Sequence, residues 1–179
     1  MLDKSVPYIP FIMIRKPNAA PLPEYHLPKG YHFVFYQPGD EHAWGEIETS
    51  VGEFETTTDA LNYFQRSFAP FPEELPQRML FVENTEGKKV ATFTAWRNDD
   101  SRQPRLHWLA VLPSQQGQGL AKALVIRVTQ LLTELHPNEE LYLTTQTWSH
   151  PAVKLYQKLG YEILADENYS QIVEILENT

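Results

Sequence analysis

The chain contains no cysteine, which removes disulfides, thiolate metal ligands and a thiol nucleophile from consideration together. Long hydrophobic runs are missing as well. The apolar stretch from Tyr8 to Ile14 is short and interrupted by Pro10, and Met1-Leu2-Asp3-Lys4 lacks the basic start and apolar core of a secretory leader. The expectation is a cytoplasmic protein with no membrane partner. Positive charge is scarce: 15 Lys and Arg stand against 23 Asp and Glu, a formal net charge of −8. That is the wrong sign for clustered phosphate-backbone contacts, so no nucleic acid partner is expected. No internal repeat and no low-complexity tail is found.

What is present fits one domain with an appendage. At 179 residues and 42% hydrophobic content, the chain is long enough to bury a sizeable core. Six of the 14 prolines fall in the first 28 residues, which prevents that segment from being mainly helical. We divide the chain into a proline-rich arm, residues 1–29, packed on a domain of residues 30–179. Phe11–Ile14 is the one short strand expected in the arm.

Further along, Tyr31–Tyr36, Met79–Glu83 and Lys89–Trp96 read as strands, the last two joined by the turn Asn84-Thr85-Glu86-Gly87. Helices are expected after Gly39-Asp40-Glu41 and over Asp59–Phe68, and Pro70, Pro72 and Pro76 mark a loop. Short strands are expected at Tyr161–Leu164 and Gln171–Leu176. Strands that come first in a meander and then alternate with helices predict an α/β (α+β) fold with a mixed sheet.

The most informative segment is Leu106 through Leu124, an apolar strand that runs through Pro113-Ser114-Gln115-Gln116-Gly117-Gln118-Gly119 into a helix with apolar positions at Leu120, Leu124, Val128, Leu131 and Leu135. Glycines at such a turn let successive N–H groups face one concavity at the positive end of a helix dipole, a place suited to phosphate. A dinucleotide fingerprint needs a third glycine where Lys122 stands, and a Walker A loop needs Gly-Lys followed by Ser or Thr. Both fail. Gln116-x-x-Gly119-x-Ala121 instead resembles the acyl-coenzyme A loop of the GCN5-related N-acetyltransferases.

A second segment extends the resemblance. The threonine-rich strand Leu141–Thr147 is followed by Ser149-His150-Pro151-Ala152-Val153-Lys154-Leu155-Tyr156-Gln157-Lys158-Leu159-Gly160-Tyr161, similar to that family's N-x-x-A-x-x-L-Y-x-x-x-G-F helix. Ser149 suits the N-cap, Pro151 the first turn and Gly160 a left-handed stop.

The resemblance covers roughly residues 30–176 and implies the acyl-CoA N-acyltransferase fold: a mixed, mostly antiparallel, splayed central sheet flanked by helices. It implies acetyl-CoA as acyl donor. Leu109, Ala110 and Val111 would then pair with pantetheine amides; Gln116, Gly117, Gln118, Gly119, Leu120 and Ala121 would cradle the pyrophosphate; Ser149 would touch the coenzyme. Tyr156 is expected near the sulfur as proton donor. The chemistry calls for no metal.

For the base, the loop strand and the threonine-rich strand offer no carboxylate. His107 is the choice, because it shares strand parity with Leu109 and Val111 and titrates near neutrality; Glu46, Glu48, Glu53 or a water chain are the alternatives. Between Pro38 and Gln65 lie seven acidic residues and no Lys or Arg, interleaved with Trp44, Phe54, Tyr63 and Phe64, which suggests a cationic acceptor. The expected activity is acetyl transfer to a small-molecule amine or a protein amino group, by direct attack in a ternary complex. A non-catalytic CoA-binding sensor or inactive relative is the alternative reading. Homodimer formation through exposed strand edges or the arm is left open.

Overall fold

A computed structural model describes residues 2–97 and 103–179. Seven strands form one sheet in the order β2-β3-β4-β5-β6-β1-β7: β1 is Pro10–Arg15, β2 Tyr31–Phe35, β3 Met79–Asn84, β4 Lys89–Trp96, β5 Arg105–Val111, β6 Leu141–Gln146 and β7 Glu162–Ile163. The helices are α1 Glu41–Ser50, α2 Thr57–Ser67, α3 Leu75–Arg78, α4 Leu120–Leu135, α5 His150–Lys158 and α6 Tyr169–Glu177. Every ladder is antiparallel except β5 with β6. The mixed, mostly antiparallel sheet flanked by helices is thus the architecture expected from the sequence.

Two apolar clusters form, both drawing on strand residues. One gathers Trp44 and Ile47 of α1 and Ala60 and Phe64 of α2 over Phe81, Trp96 and Ala110. The other joins Leu120, Leu124 and Val128 of α4 to Phe93, Leu106 and Val111, and continues to Val153, Tyr156 and Ile172. Of the apolar positions read along α4, Leu120, Leu124, Val128 and Leu131 are buried, while Leu135 in its last turn is exposed. No helix among the described residues is long and apolar enough to cross a membrane.

Two segments depart from the sequence reading, and Pro76, expected in a loop, is one of them: it lies in the first turn of the short helix α3. Gln171–Leu176, expected as a strand, lies within α6. Its buried residues Ile172 and Leu176 are four apart, the helical period, and the β-branched pair Ile172-Val173 masks it. Strand β1 lies inside the sheet, between β6 and β7, with Met13 opposite Leu143 on one side and Ile163 on the other.

Arg15 fastens that strand to the end of α5. It is 6% exposed, and its Nε donates to the Leu159 carbonyl at 3.0 Å, neutralising an orphan acceptor at the negative end of a helix. Gly160 takes φ +84° there, as its position at the helix stop predicted. Met13 is 0% exposed, so Met13→Ala is expected to lower stability by about 2–5 kcal/mol in denaturant unfolding. A segment resting only on the surface would lose less than about 0.5 kcal/mol.

Candidate active site

The site begins at a failure of pairing. Strands β5 and β6 meet in parallel at a single bridge, Arg105 with Tyr142. Beyond it they separate, and the β5 edge from Leu109 to Val111 has no ladder on that side, while Ala110 and Val111 still pair with Thr92 and Ala91 of β4 on the other. The opening holds two adjoining cavities that share Glu53, Leu109, Ser149 and Ala152.

The first cavity, about 260 Å³, runs from Leu109, Ala110 and Val111 past the turn at Gln116, Gly117 and Gly119 to Leu120, Ala121 and Leu155. Among the described residues, the backbone N–H groups of Gly117 through Lys122 have no protein acceptor. Gly117 and Gly119 both adopt left-handed φ, +78° and +84°, where a side chain would be strained. Gln116 is committed internally: its Nε2 donates to the Val111 carbonyl at 3.0 Å and its N–H to the Pro113 carbonyl at 3.4 Å. Gln118 faces the start of β2, with its Oε1 accepting from the Tyr31 hydroxyl at 2.9 Å.

The arm closes the space around Gly119, where a Cβ would collide with the Tyr25 hydroxyl. The Tyr25 ring in turn carries Lys122 Nζ 4.8 Å from its centre. The apolar trough and the row of free donors fit a diphosphate carried on an extended, largely aliphatic arm.

The second cavity, about 380 Å³, is lined by Arg105, His107, Trp108, Thr144, Thr145, Gln146 and Tyr156, among others. A bulge shapes it. The β4–β5 register shifts between Thr92 and Thr94, so that Trp108 and Leu109 together oppose Phe93, and Trp108 sits at φ +58°. For a bulky residue this is a strained conformation, of the sort concentrated at functional sites.

The extra residue also reverses the side-chain phase. Leu109 and Val111 join the α4 cluster. His107 lies 5.8 Å from the Phe68 ring and accepts or donates a hydrogen bond with Tyr63 Oη at 3.2 Å, on the α1–α2 side. The parity that linked His107 to Leu109 and Val111 in the sequence is therefore broken by the bulge.

Burial sets the protonation states. His107 is pushed well below its usual range by desolvation and by the Arg105 guanidinium, so it is a neutral imidazole at physiological pH. Tyr156, 6% exposed, is pushed up by desolvation, then by the neighbouring Tyr161, Glu48 and Glu53, and keeps its phenolic proton. Glu53 lies at the mouth shared by both cavities and is raised by desolvation. Glu48 of α1 is fully buried, has no partner for either carboxylate oxygen, and is raised well above the ordinary carboxylate value by desolvation and by Glu53.

Ser149 borders both cavities. It does not cap α5 through its side chain, contrary to expectation; its hydroxyl instead accepts from Gln146 Nε2 at 3.2 Å. Arg105 is the residue that the sequence reading passed over, although its two-residue spacing from His107 puts both on one face ahead of the bulge.

Two substitutions probe this construction. Gly119→Ala is expected to cost about 1–2 kcal/mol for the left-handed backbone and to weaken thermal protection by acetyl-CoA. For Glu48, the folded protein holds a proton that the unfolded chain releases above about 4.5, so stability declines as pH rises from there toward the raised value. Glu48→Gln should remove a decline of up to about 1.4 kcal/mol per pH unit, leaving the variant more stable than the parent at pH 8 and little changed at pH 4, as read by denaturant unfolding.

The acetyltransferase (GNAT) family model matches residues 35–161. An S-alkylcysteine N-acetyltransferase of Bacillus subtilis (strain 168) is 28% identical over 102 residues, covering 53% of this chain and 57% of that protein. Among solved structures, the fold is similar to a GCN5-related N-acetyltransferase from Sphaerobacter thermophilus, with TM-score 0.69 and 22% identity over 87% of this chain and 48% of that one. A GNAT-family acetyltransferase from Colwellia psychrerythraea gives TM-score 0.65 and 14% identity over 89% of this chain and 55% of that one. The chain thus spans about half the length of these relatives.

Proposed function

The chain belongs to the acetyltransferase (GNAT) family, and we propose that it moves an acetyl group from acetyl-CoA to an amine by direct attack in a ternary complex. The observation that carries this reading is the junction of the two cavities at Glu53, Leu109, Ser149 and Ala152: a donor in one and an acceptor in the other would meet there. An amine acceptor agrees with the N-acetyl transfer named for the B. subtilis relative.

Bound acetyl-CoA supplies an activated thioester carbonyl, and no metal is needed. The free N–H groups of Gly117 through Ala121 and the apolar Leu120 and Leu155 would hold it, with the open β5 edge at Leu109–Val111 offering backbone groups to its amides. Much of the rate comes from fixing the two reactants in one geometry.

Glu53 is the proton acceptor in this scheme. A carboxyl raised by partial desolvation is a stronger base than a solvated one, and its place at the junction puts it beside an incoming ammonium. Tyr156 keeps its proton on Oη and faces the second cavity, which suits it to give that proton at the sulfur side. His107, neutral and tied to Tyr63 and Arg105, orients these neighbours.

Thiol release with acetyl-CoA and an amine panel tests the reading. Tyr156→Phe is expected to lower kcat by about 10²-fold or more while acetyl-CoA still raises the melting temperature, since binding to the folded state alone stabilises by mass action. Protection by acetyl-CoA without thiol release from the parent would assign the protein to coenzyme binding without turnover.

A further inference from the structure

The second cavity holds two donors with nothing to donate to. Arg105 Nε and Trp108 Nε1 are both buried and unpartnered, and both residues line that cavity. Among the described residues Arg105 forms no ion pair; its one side-chain neighbour at hydrogen-bond range is His107 Nε2, at 3.4 Å. The guanidinium is half-buried and, among the described residues, faces a neutral imidazole without a carboxylate, while its Nε is fully covered and unpaired, and an unpaired buried donor is costly. Arginine and indole N–H groups accept nothing, so a ligand that meets them must bring acceptors, and the guanidinium's positive charge favours an anionic one. The planar guanidinium fork matches a carboxylate.

Charge fixes the orientation. Arg105 is the one Lys or Arg in the cavity lining, and Glu53, at the end shared with the coenzyme cavity, is its one acid. A zwitterion fits this polarity, ammonium toward Glu53 and carboxylate toward Arg105. One part of the wall is apolar, Trp108, packed 5.1 Å from Phe54 and 5.2 Å from Tyr63 between ring centres, with Phe93, Leu106 and Leu143; the β6 part, Thr144, Thr145 and Gln146, is polar but uncharged. A monoanion suits one guanidinium and one indole N–H better than a phosphate dianion does.

Resting on the acetyl-transfer reading above, we propose that the acceptor is an amino acid with an uncharged, apolar side chain, its carboxylate held by Arg105 and Trp108 while its nitrogen is acetylated. In the transfer the N–C bond forms and the thioester C–S bond breaks. The ammonium gives up two protons, one to Glu53 and then to solvent, the other balancing the thiol that leaves. The acidic stretch from Pro38 to Gln65 suggested selection for positive charge alone; Arg105 adds a demand for a negative one.

Matched acceptors test this in the unmodified protein by acetyl-CoA thiol release: L-phenylalanine against 2-phenylethylamine, L-methionine against 3-(methylthio)propylamine, and β-alanine against O-phosphoethanolamine. Each apolar amino acid is expected to exceed its decarboxylated partner at least tenfold in kcat/KM, mainly through KM. Arg105→Met should bring that ratio toward one and Arg105→Lys should restore part of it, with acetyl-CoA thermal protection confirming that each variant is folded. Amines used as well as their amino acids, O-phosphoethanolamine outpacing β-alanine, or a ratio unmoved by Arg105→Met would overturn the proposal while leaving acetyl transfer standing. No thiol release with any acceptor would overturn both.

Discussion

One parallel bridge between Arg105 and Tyr142 is the constraint on which the site depends. Interior strands ordinarily satisfy both edges, because an unpaired backbone group away from water is costly. Here β5 and β6 are held together at their starts and kept apart afterwards, so the Leu109–Val111 edge is exposed inside a sheet that is otherwise continuous. The bulge at Trp108 exploits the same strand. It spends one residue without a partner and thereby sends His107 and Arg105 to one side of the sheet and Leu109 and Val111 to the other. A single strand then borders both cavities at once.

The ionisable groups around the opening are tuned mainly by what surrounds them and less by paired opposite charge. Tyr156 and Glu48 are held protonated by desolvation, and His107 is held neutral by desolvation and its arginine neighbour. Of the buried side-chain atoms left without partners, those of Glu48, Arg105 and Trp108 lie around this opening or beside it. Elsewhere, buried polar groups such as Thr129 and Tyr161 satisfy each other, at 2.9 Å. Trp44, Thr49 and Thr94 also hold unpartnered buried atoms but line neither cavity, whereas Arg105 and Trp108 present theirs on a cavity wall, where a ligand can reach them.

The parts legible in the sequence are those with local causes. Glycines at 117 and 119 and the following apolar stripe specify a turn and an amphipathic helix without reference to the rest of the chain, and Pro151 and Gly160 do the same for the limits of α5. The bulge at Trp108 is not local. Nothing in Arg105-Leu106-His107-Trp108-Leu109 announces where the alternation breaks, since the register is set by pairing with β4, and the parity from which His107 was chosen as base does not hold across the bulge. Glu48 likewise reads as one acid among seven in a polar stretch; its burial follows from α1 lying on the sheet. The turn that lines the first cavity was therefore more readable than the second cavity, which is assembled from Glu53, β4, β5, β6 and α5 together.

Strand β1 has a consequence for how the molecule is made. Its partners, beginning with Pro10 against Gln146 and including Met13 against Ile163, emerge from the ribosome long after it does. The earliest strand to be synthesised is among the last to be seated, and the meander of β2 through β5 can assemble while it waits. Long-range closures of this kind are slow and leave apolar strand residues open to wrong partners. Until β6 and β7 have been made, the buried residues Phe11 and Met13 of β1 have no strand to pair with.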